Sequence, residues 1–495
     1  RKRMEKSRYE VIMEQKTGKL LAGSLIYGIL FAVLLYRNMS GIGIPVLMLV
    51  TCLFLAGFFR MFEMKLKKET VYYMTVMVLL GVSSTLTTSD FFIMFNWFGS
   101  IGLFFLILIH QFYEDRNWNF LSYTVVYLRM MFAPLGNLLS PFRALIRYRK
   151  SKEDGEEKKK SGYIGQVVLG IIMAGLLLLV IFPLLFSGDI VFAEFIRLFT
   201  GNFRGFSFST GWITLFLAGF ILCFAVWQAF VNYDPDFETE EKEERPIQVA
   251  GITCISILTA VYLIFCAIQL GSLFFGHGMG LPDGYTYAEY ARSGFFELLG
   301  VSIINLLIVL AVIHLFYPKR LMQRLLTVFS GCTYVMILSS GYRMCMYIEA
   351  YRFTLSRVLV LWGLCVLSFI LAGVIVNVYK KDFPLFRYSA AVCAAFYLIL
   401  SLSRPDEWMA RYNLAYKEEW IESYDEIRYL FSRDLLLAVD AEQIQHLKGD
   451  PGNLIHYCQE VVDMYDNEPG WTYSIGEARA KESAERFLKE YGDIT

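Results

Sequence analysis

Residues 283–305 read DGYTYAEYARSGFFELLGVSIIN, a polar, tyrosine-rich approach that runs directly into a long apolar segment. Three charged residues, Glu289, Arg292 and Glu297, fall at this junction. An ordinary membrane helix carries no charge at such a place, because an unpaired charge inside the bilayer is costly. The stretch therefore predicts a membrane helix whose polar end needs charged partners or water.

The rest of the chain has the composition of a membrane protein, with 56% apolar and 16% aromatic residues. Apolar runs of about 17–25 residues recur, and this length crosses a bilayer core. We therefore predict an all-α fold, a polytopic transmembrane helix bundle of about eleven spans. The spans are expected near residues 19–36, 42–59, 71–88, 91–112, 163–186, 211–232, 247–272, 295–317, 321–342, 355–379 and 385–402.

Changes in composition divide the chain into five parts. Hydropathy falls sharply after residue 403, and apolar residues then recur at helical spacing in 430–439, 455–464 and 478–491. The parts are a basic cytoplasmic segment (1–18), a first four-helix membrane unit (19–112), interfacial helices with a charged cytoplasmic loop (113–162), a seven-helix membrane unit (163–403) and a small helical domain on the outer face (404–495).

Basic residues indicate the orientation, since connections rich in Lys and Arg stay in the cytoplasm. Such bases follow every second predicted span, whereas the alternate connections carry few. The exception is the connection around Arg343, Arg352 and Arg357, where acidic and polar neighbours accompany the bases. We predict a cytoplasmic N-terminus and an extracytoplasmic C-terminal domain.

A second polar segment, residues 343–357, is predicted at the same depth as the junction. If it is helical, Arg343, Tyr347 and Tyr351 share one stripe. We expect the two segments to meet in one polar cluster near the outer leaflet. Its candidate ligand-binding residues are Tyr285, Tyr287, Glu289, Tyr290, Arg292, Glu297, Asn305, Arg343, Tyr347, Glu349, Tyr351 and Arg357. The alternative interpretation is a set of interfacial anchors and structural ion pairs.

Residues 284–299 resemble the signature of a bacterial polytopic membrane family, the domain-of-unknown-function 4173 group, which is related to the 4153 group. The 343–357 segment resembles the second block of that family. Ala410 to Asn413, with later polar positions, resembles a third block of that family. The candidate residues in this part of the chain are Arg411, Asn413, Asp425 and Asp434. The resemblance covers roughly residues 160–440. It implies a multi-pass protein of the bacterial plasma membrane and assigns no activity.

Motifs of soluble enzymes are absent from the sequence. The five histidines form no His-x-x-x-His pair, and Cys345 and Cys458, the cysteines nearest to water, belong to no Cys-x-x-Cys pair. We expect no metal, cofactor or catalytic residue, and no nucleic-acid partner. Membrane lipids are the expected partners, with a second membrane or signalling protein. The basic stretch 143–150 suits anionic lipid headgroups, although the positive-inside tendency explains it equally well.

Three classes of function are compatible with these features. The first is a non-enzymatic sensor or accessory subunit that binds a ligand, lipid or partner at the polar cluster. The second is a transporter or channel-like protein, for which polar residues at membrane depth, such as Asn96 and Asn305, provide the argument. The third is a membrane enzyme acting on lipid or glycan with Glu289, Glu297 or Glu349 as acid or base. We favour the first class.

Overall fold

The computed structural model describes residues 8–152, 210–233, 248–275, 295–315, 320–380, 382–415, 432–440, 452–464 and 470–494, and these residues form helices and their connections. The α-helices in chain order are α1 (Arg8–Gln15), α2 (Thr17–Leu35), α3 (Gly43–Met61), α4 (Lys68–Leu86), α5 (Asp90–Phe112), α6 (Phe120–Phe132), α7 (Ser140–Lys152), α8 (Thr210–Asn232), α9 (Gln248–Phe275), α10 (Phe295–Leu315), α11 (Arg320–Tyr351), α12 (Leu355–Tyr379), α13 (Leu385–Leu402), α14 (Pro405–Ala415), α15 (Gly452–Met464) and α16 (Ile475–Ile494).

Ten of the helices in the described ranges, α2 to α5 and α8 to α13, are long and apolar enough to cross a membrane. They coincide with ten of the eleven predicted spans, so the multi-pass helical fold is confirmed. The predicted span at 163–186 lies outside the described residues, as does the segment 189–208 that the sequence predicts to lie on the surface or re-enter the membrane. α11 is longer than predicted and continues without a break to Tyr351.

The shorter helices follow the predicted pattern with one difference. α6 and α7 lie within the part expected to be interfacial, and α15 and α16 match two of the helices predicted near the C-terminus. In the first of those three predictions, residues 430–439, the described part from Ser432 onward contains the 3₁₀ helix Arg433–Ala438 instead. Ser432 begins this turn, and its Oγ accepts a hydrogen bond of 3.4 Å from the Asp434 N–H.

The chain divides into two compact units, of which the first contains Arg1–Met74, Leu103–Tyr113 and Val126–Asp236. Glycines allow α2 and α8 to pack backbone to backbone: a Cβ on Gly28 would lie 2.8 Å from the Phe216 carbonyl oxygen. Such close approach between membrane helices is typical of small residues. Aromatic rings fill the neighbouring core, with Phe58, Phe62 and Phe112 around Trp227.

Polar contacts join helix ends within the first unit. The Tyr113 hydroxyl donates to the carbonyl oxygens of Phe230 (3.1 Å) and Tyr233 (3.3 Å), at the end of α8. Lys67 donates to the Tyr113 carbonyl oxygen at 2.9 Å. α7 lies against the beginning of α2, because a Cβ on Gly18 would meet the Tyr148 hydroxyl oxygen at 2.8 Å.

The second unit contains Thr75–Gly102, Glu114–Val125 and Phe237–Thr495. One apolar core, which includes Val309, Phe329 and Val374, joins α9 to α13. Another buries Phe92 of α5 with Leu435 and residues of α12 to α16. The described C-terminal residues therefore pack on membrane helices of their own unit.

Candidate functional site

The predicted junction before α10 lies mostly outside the described residues. This applies to Tyr285, Tyr287, Glu289, Tyr290 and Arg292. Glu297, in the first turn of α10, is exposed. Leu299, half a turn further, packs instead against an apolar cluster that contains Met344 and Ile348. The described end of α10 therefore meets α11 through apolar contacts.

Asn305, two turns further along α10, is fully buried. Its Oδ1 accepts a hydrogen bond of 3.0 Å from the Tyr262 hydroxyl, and its Nδ2 donates to Thr333 Oγ1 at 3.1 Å. Asn305 thus joins α9, α10 and α11 inside the membrane core. These partners lie outside the 343–357 segment with which the sequence analysis grouped Asn305.

The 343–357 segment brings three of its predicted residues together. The Arg357 guanidinium lies 4.4 Å from the centre of the Tyr347 ring, and the Tyr347 and Tyr351 rings are 5.0 Å apart. Arg357 also donates to the carbonyl oxygens of Tyr351 (2.7 Å) and Arg352. A cation at this position satisfies carbonyl groups at the end of α11 and complements the helix dipole. Of the two further candidates in this segment, Arg343 is half-buried and Glu349 is exposed.

An amide side chain of α14 binds the connection between α11 and α12. Asn413 Oδ1 accepts from the Phe353 N–H at 2.9 Å, while Asn413 Nδ2 donates to the Phe353 carbonyl oxygen at 2.9 Å. The preceding residue, Arg352, has a φ of +69°, a left-handed conformation that ends the helix. The Phe353 ring then packs edge-on against Trp408 and Tyr412 of α14. The predicted residue Asn413 therefore fixes α14 to this connection.

Asp434 makes the corresponding contact with the connection between α4 and α5. Its carboxylate is fully buried and accepts hydrogen bonds from Thr87 Oγ1 (2.6 Å), Thr88 Oγ1 (3.0 Å) and the Thr88 N–H (3.1 Å to Oδ1 and 3.2 Å to Oδ2). These donors directly precede α5, whose N-terminus attracts negative charge. α16 approaches the same place, since a Cβ on Gly476 would lie 3.0 Å from the carbonyl carbons of Leu86 and Thr87.

Burial raises the pKa of Asp434, and the hydrogen bonds from Thr87 and Thr88 partly offset this effect. The nearby Asp406 raises the pKa further; its Oδ2 accepts from the Ser432 N–H at 3.4 Å. Charged pairs surround the contact. Arg433 lies 3.4 Å from Glu477, and Glu407 lies between Arg404 (2.8 Å) and the predicted residue Arg411 (3.1 Å). Asp425, the fourth residue of this predicted block, lies outside the described residues.

Hydroxyl and amide groups of α4, α5 and α13 form a hydrogen-bonded layer within these membrane helices. Asn96 Oδ1 accepts from the Tyr397 hydroxyl (2.9 Å) and Ser401 Oγ (2.8 Å), and its Nδ2 donates to Ser84 Oγ (3.1 Å). Ser401 Oγ also lies 2.6 Å from Ser83 Oγ. Asn96 is buried, and these three partners come from α4 and α13, so the layer ties the helices together.

Sequence reasoning missed the hydroxyl residues that hold Asp434 and Asn96. A signal was present: Ser83, Ser84, Thr85, Thr87, Thr88 and Ser89 are six hydroxyl residues within seven positions at the end of an apolar run. Within the part of the chain that the structure describes, no three His, Cys, Asp or Glu side chains are grouped so that they could hold a metal ion. The sequence analysis placed Cys458 near water, and this is wrong: the residue is fully buried, and burial raises the pKa of its thiol to about 12.

Comparison with known proteins identifies the family. A family model described as "Domain of unknown function (DUF4153)" matches residues 74–442, about three quarters of the chain. No curated protein and no solved structure matches the chain. The matched residues include both sides of the Asp434 contact, with Thr87 and Thr88 near the start of the match and Asp434 near its end. The chain therefore belongs to the DUF4153 family of domains of unknown function, as a multi-pass membrane protein.

Proposed function

We propose that this protein is a non-enzymatic membrane sensor or accessory subunit whose C-terminal domain binds a ligand or a partner outside the membrane. The observation that carries the proposal is the buried Asp434 carboxylate, which attaches the C-terminal residues to the start of α5. A carboxylate in this position is expensive to bury unless its hydrogen bonds are satisfied. Loss of this contact would cost free energy. The contact therefore couples the position of the C-terminal domain to that of the helices α4 and α5.

A second contact of this kind supports the same function. Asn413 fixes α14 to the connection between α11 and α12, as Asp434 fixes the 3₁₀ turn to the connection between α4 and α5. A ligand with different affinities for two arrangements of the C-terminal domain would change the position of both connections. We propose that Tyr347, Tyr351 and Arg357, which lie at the second connection, belong to the binding surface, together with the predicted residues Tyr285 to Arg292.

We propose that the protein lies in the bacterial plasma membrane with its N-terminus in the cytoplasm. We also propose a relationship to the 4173 group that the sequence resembles. Contacts in the first unit support the topology. Tyr113 follows α5 and its hydroxyl reaches the Phe230 carbonyl, so α5 and α8 end on the same membrane face. α7 lies on that face too, since Tyr148 contacts Gly18 at the beginning of α2. α8 must then begin on the opposite face, in agreement with one more crossing at the predicted span 163–186, which lies outside the described residues.

Reporter fusions test this topology. A reporter that is active only in the cytoplasm, fused after the last residue, is expected to be silent. The same reporter fused after Tyr379, at the end of α12, is expected to be active. Activity of the C-terminal fusion would overturn the odd number of crossings and the extracytoplasmic position of the domain.

Site-specific photo-cross-linking in native membranes tests the function. A photoreactive residue at Glu482 or Arg486, both exposed on α16, is expected to give one saturable adduct with a protein or small ligand. The matched control is Leu307, which is exposed on the apolar α10 and is expected to give lipid adducts only. The sensor function fails if the α16 positions give no adduct beyond that of the control.

The polar layer around Asn96 favours a second candidate function, transport, because buried polar groups in membrane helices often line a substrate path. Purified protein in sealed vesicles would distinguish the two functions. A transporter moves a solute at a rate that falls in Asn96→Leu, whereas a sensor or accessory subunit gives no flux in either form. Solute flux together with an absence of adducts on α16 would replace the first proposal by the second.

A further inference from the structure

α6, the 3₁₀ segment Ala133–Asn137 and α7 form a helical layer that does not cross the membrane. Each α-helix has 13 residues and is about 20 Å long, whereas a bilayer core is about 30 Å thick. Pro134 lies between the two helices, and Pro141 lies in the first turn of α7. The part of this layer in the first unit, residues 126–152, is called the α6–α7 layer below.

One side of the α6–α7 layer is packed on the protein. Val126, Met130 and Pro134, which recur at helical spacing, are buried, and the Phe142 ring lies 6.2 Å from the Phe220 ring of α8. This packing, with the contact between Tyr148 and α2, fixes which side of the layer faces outward.

The outward side is apolar. Leu128, Phe132 and Leu135 share a helical face and are 50%, 64% and 58% exposed, and Leu145 of α7 is 47% exposed. Large apolar side chains in such a stripe, on helices too short to span, are typical of helices that lie at the boundary between headgroups and acyl chains. We therefore place this side of the layer in the acyl region of one leaflet.

The charge of the same stretch is entirely positive. Residues 126–152 contain six Lys and Arg side chains and no Asp or Glu. Arg143 and Arg147 lie one turn apart on α7 and are exposed. Arg147 lies 4.0 Å from Glu14, and the Arg147 side chain is 77% exposed. An exposed ion pair of this length contributes little, so Arg147 keeps its charge available for another anion.

We propose that the α6–α7 layer is a binding site for anionic phospholipid. The stripe of Leu128, Phe132 and Leu135 lies against the acyl chains, and Arg143 and Arg147 bind the phosphate of the headgroup. Arginine suits this role because its planar guanidinium donates two parallel hydrogen bonds to phosphate oxygens. The inference is independent of the proposed sensor function, since it concerns other residues and another part of the chain.

Spin-labelled lipids test the proposal on the purified full chain in phosphatidylcholine vesicles. Labelled phosphatidylglycerol is expected to associate with the wild type more strongly than labelled phosphatidylcholine. In Arg143→Gln/Arg147→Gln this preference is expected to fall about fivefold. The matched control, Arg60→Gln/Lys65→Gln, removes one exposed base from the last turn of α3 and one from the connection that follows, and is expected to keep most of the preference.

Several results would overturn the proposal. These are no preference in the wild type, an unchanged preference in Arg143→Gln/Arg147→Gln, or an equal loss in the control pair, which would indicate attraction to net charge alone. Arg143→Lys/Arg147→Lys keeps the charge and checks folding: it is expected to retain part of the preference, and complete loss with a folded protein would contradict recognition of phosphate by charge. If millimolar inorganic phosphate displaces the labelled lipid, the site binds free phosphate and the lipid assignment is wrong.

Discussion

Asp434 and Arg357 are both charged residues that hold a connection of the second unit, and they do so at opposite helix ends. The Asp434 carboxylate lies at the start of α5 and accepts from two hydroxyls and an N–H. Arg357 belongs to the first turn of α12, and its guanidinium reaches back to the end of α11, where it contacts two carbonyl oxygens and the Tyr347 ring. Neither uses a salt bridge as its main support in the contacts described. Each charge is balanced by the dipoles of backbone and hydroxyl groups.

The two contacts differ in burial, and this difference decides their energetic weight. Asp434 is fully buried, so removing it leaves donors with no access to water. Arg357 is only half-buried, so water can replace it at the carbonyl groups. A charge balanced by helix dipoles is therefore expected to contribute strongly to stability only where water is excluded.

The largest effect is expected for Asp434→Ala. The change leaves the Thr87 and Thr88 donors buried without an acceptor and should weaken the attachment of the C-terminal helices by about 3 kcal/mol. Hydrogen exchange at the amides of α15 and α16 measures this, because local opening exposes them. Glu482→Ala on the exposed face of α16 is the control and should change exchange little. Equal protection from hydrogen exchange in both variants would show that Asp434 does not attach the C-terminal helices.

A smaller loss is expected for Asn413→Ala. The change removes both hydrogen bonds to Phe353, while the Phe353 ring can still pack on Trp408. We therefore expect the attachment of α14 to weaken by about 2 kcal/mol. The readout is hydrogen exchange in residues 352–354 and in α14. Arg411→Ala, two residues away and exposed, is expected to cost about 0.5 kcal/mol or less. A larger loss of stability in Arg411→Ala than in Asn413→Ala would contradict this prediction.

Arg357→Gln should cost less again, about 1 kcal/mol, because the charge at the end of α11 is partly solvated. The comparison with Asp434 is sharpened by salt: the contribution of Arg357 should fall at high ionic strength, whereas that of the buried Asp434 should not. Thermal unfolding of the purified protein at two salt concentrations measures both. Arg357→Lys should recover part of the loss, since the ammonium keeps the charge and loses the planar contact with Tyr347.

The pH dependence of Asp434 is the smallest predicted effect. The folded pKa lies above the ordinary value of 3.8, so the docked form binds the proton more tightly than the unfolded chain. Its contribution to stability should therefore rise as pH falls through the folded pKa toward 3.8, and decline as pH rises. Asp434→Asn carries no titrating group and should lose this slope. The difference in unfolding midpoint between the wild type and Asp434→Asn, measured across this window, isolates Asp434 from Asp406 and the Arg433–Glu477 pair. A difference that grows in the opposite direction would mean that the hydrogen bonds outweigh burial.

The sequence by itself determined the class of fold. Spans are local properties, because about 20 consecutive apolar residues satisfy their own backbone hydrogen bonds as a helix in lipid. Ten of eleven predicted spans were therefore found in the described ranges. Local patterning also identified α15 and α16, and the resemblance singled out Asn413 and Asp434 without indicating what they contact.

Tertiary structure alone decided the partners of the polar residues. Asp434 is separated from Thr87 and Thr88 by about 346 positions, and nothing in a run of hydroxyl residues specifies a distant carboxylate. Charge was a poor guide for the same reason: Glu297 and Glu349 drew attention in the sequence and are exposed, while the neutral side chains Asn305 and Asn96 are buried and fully engaged. Hydrophobicity acts along the chain and can be read from it, whereas a buried hydrogen bond exists only after distant segments have packed together.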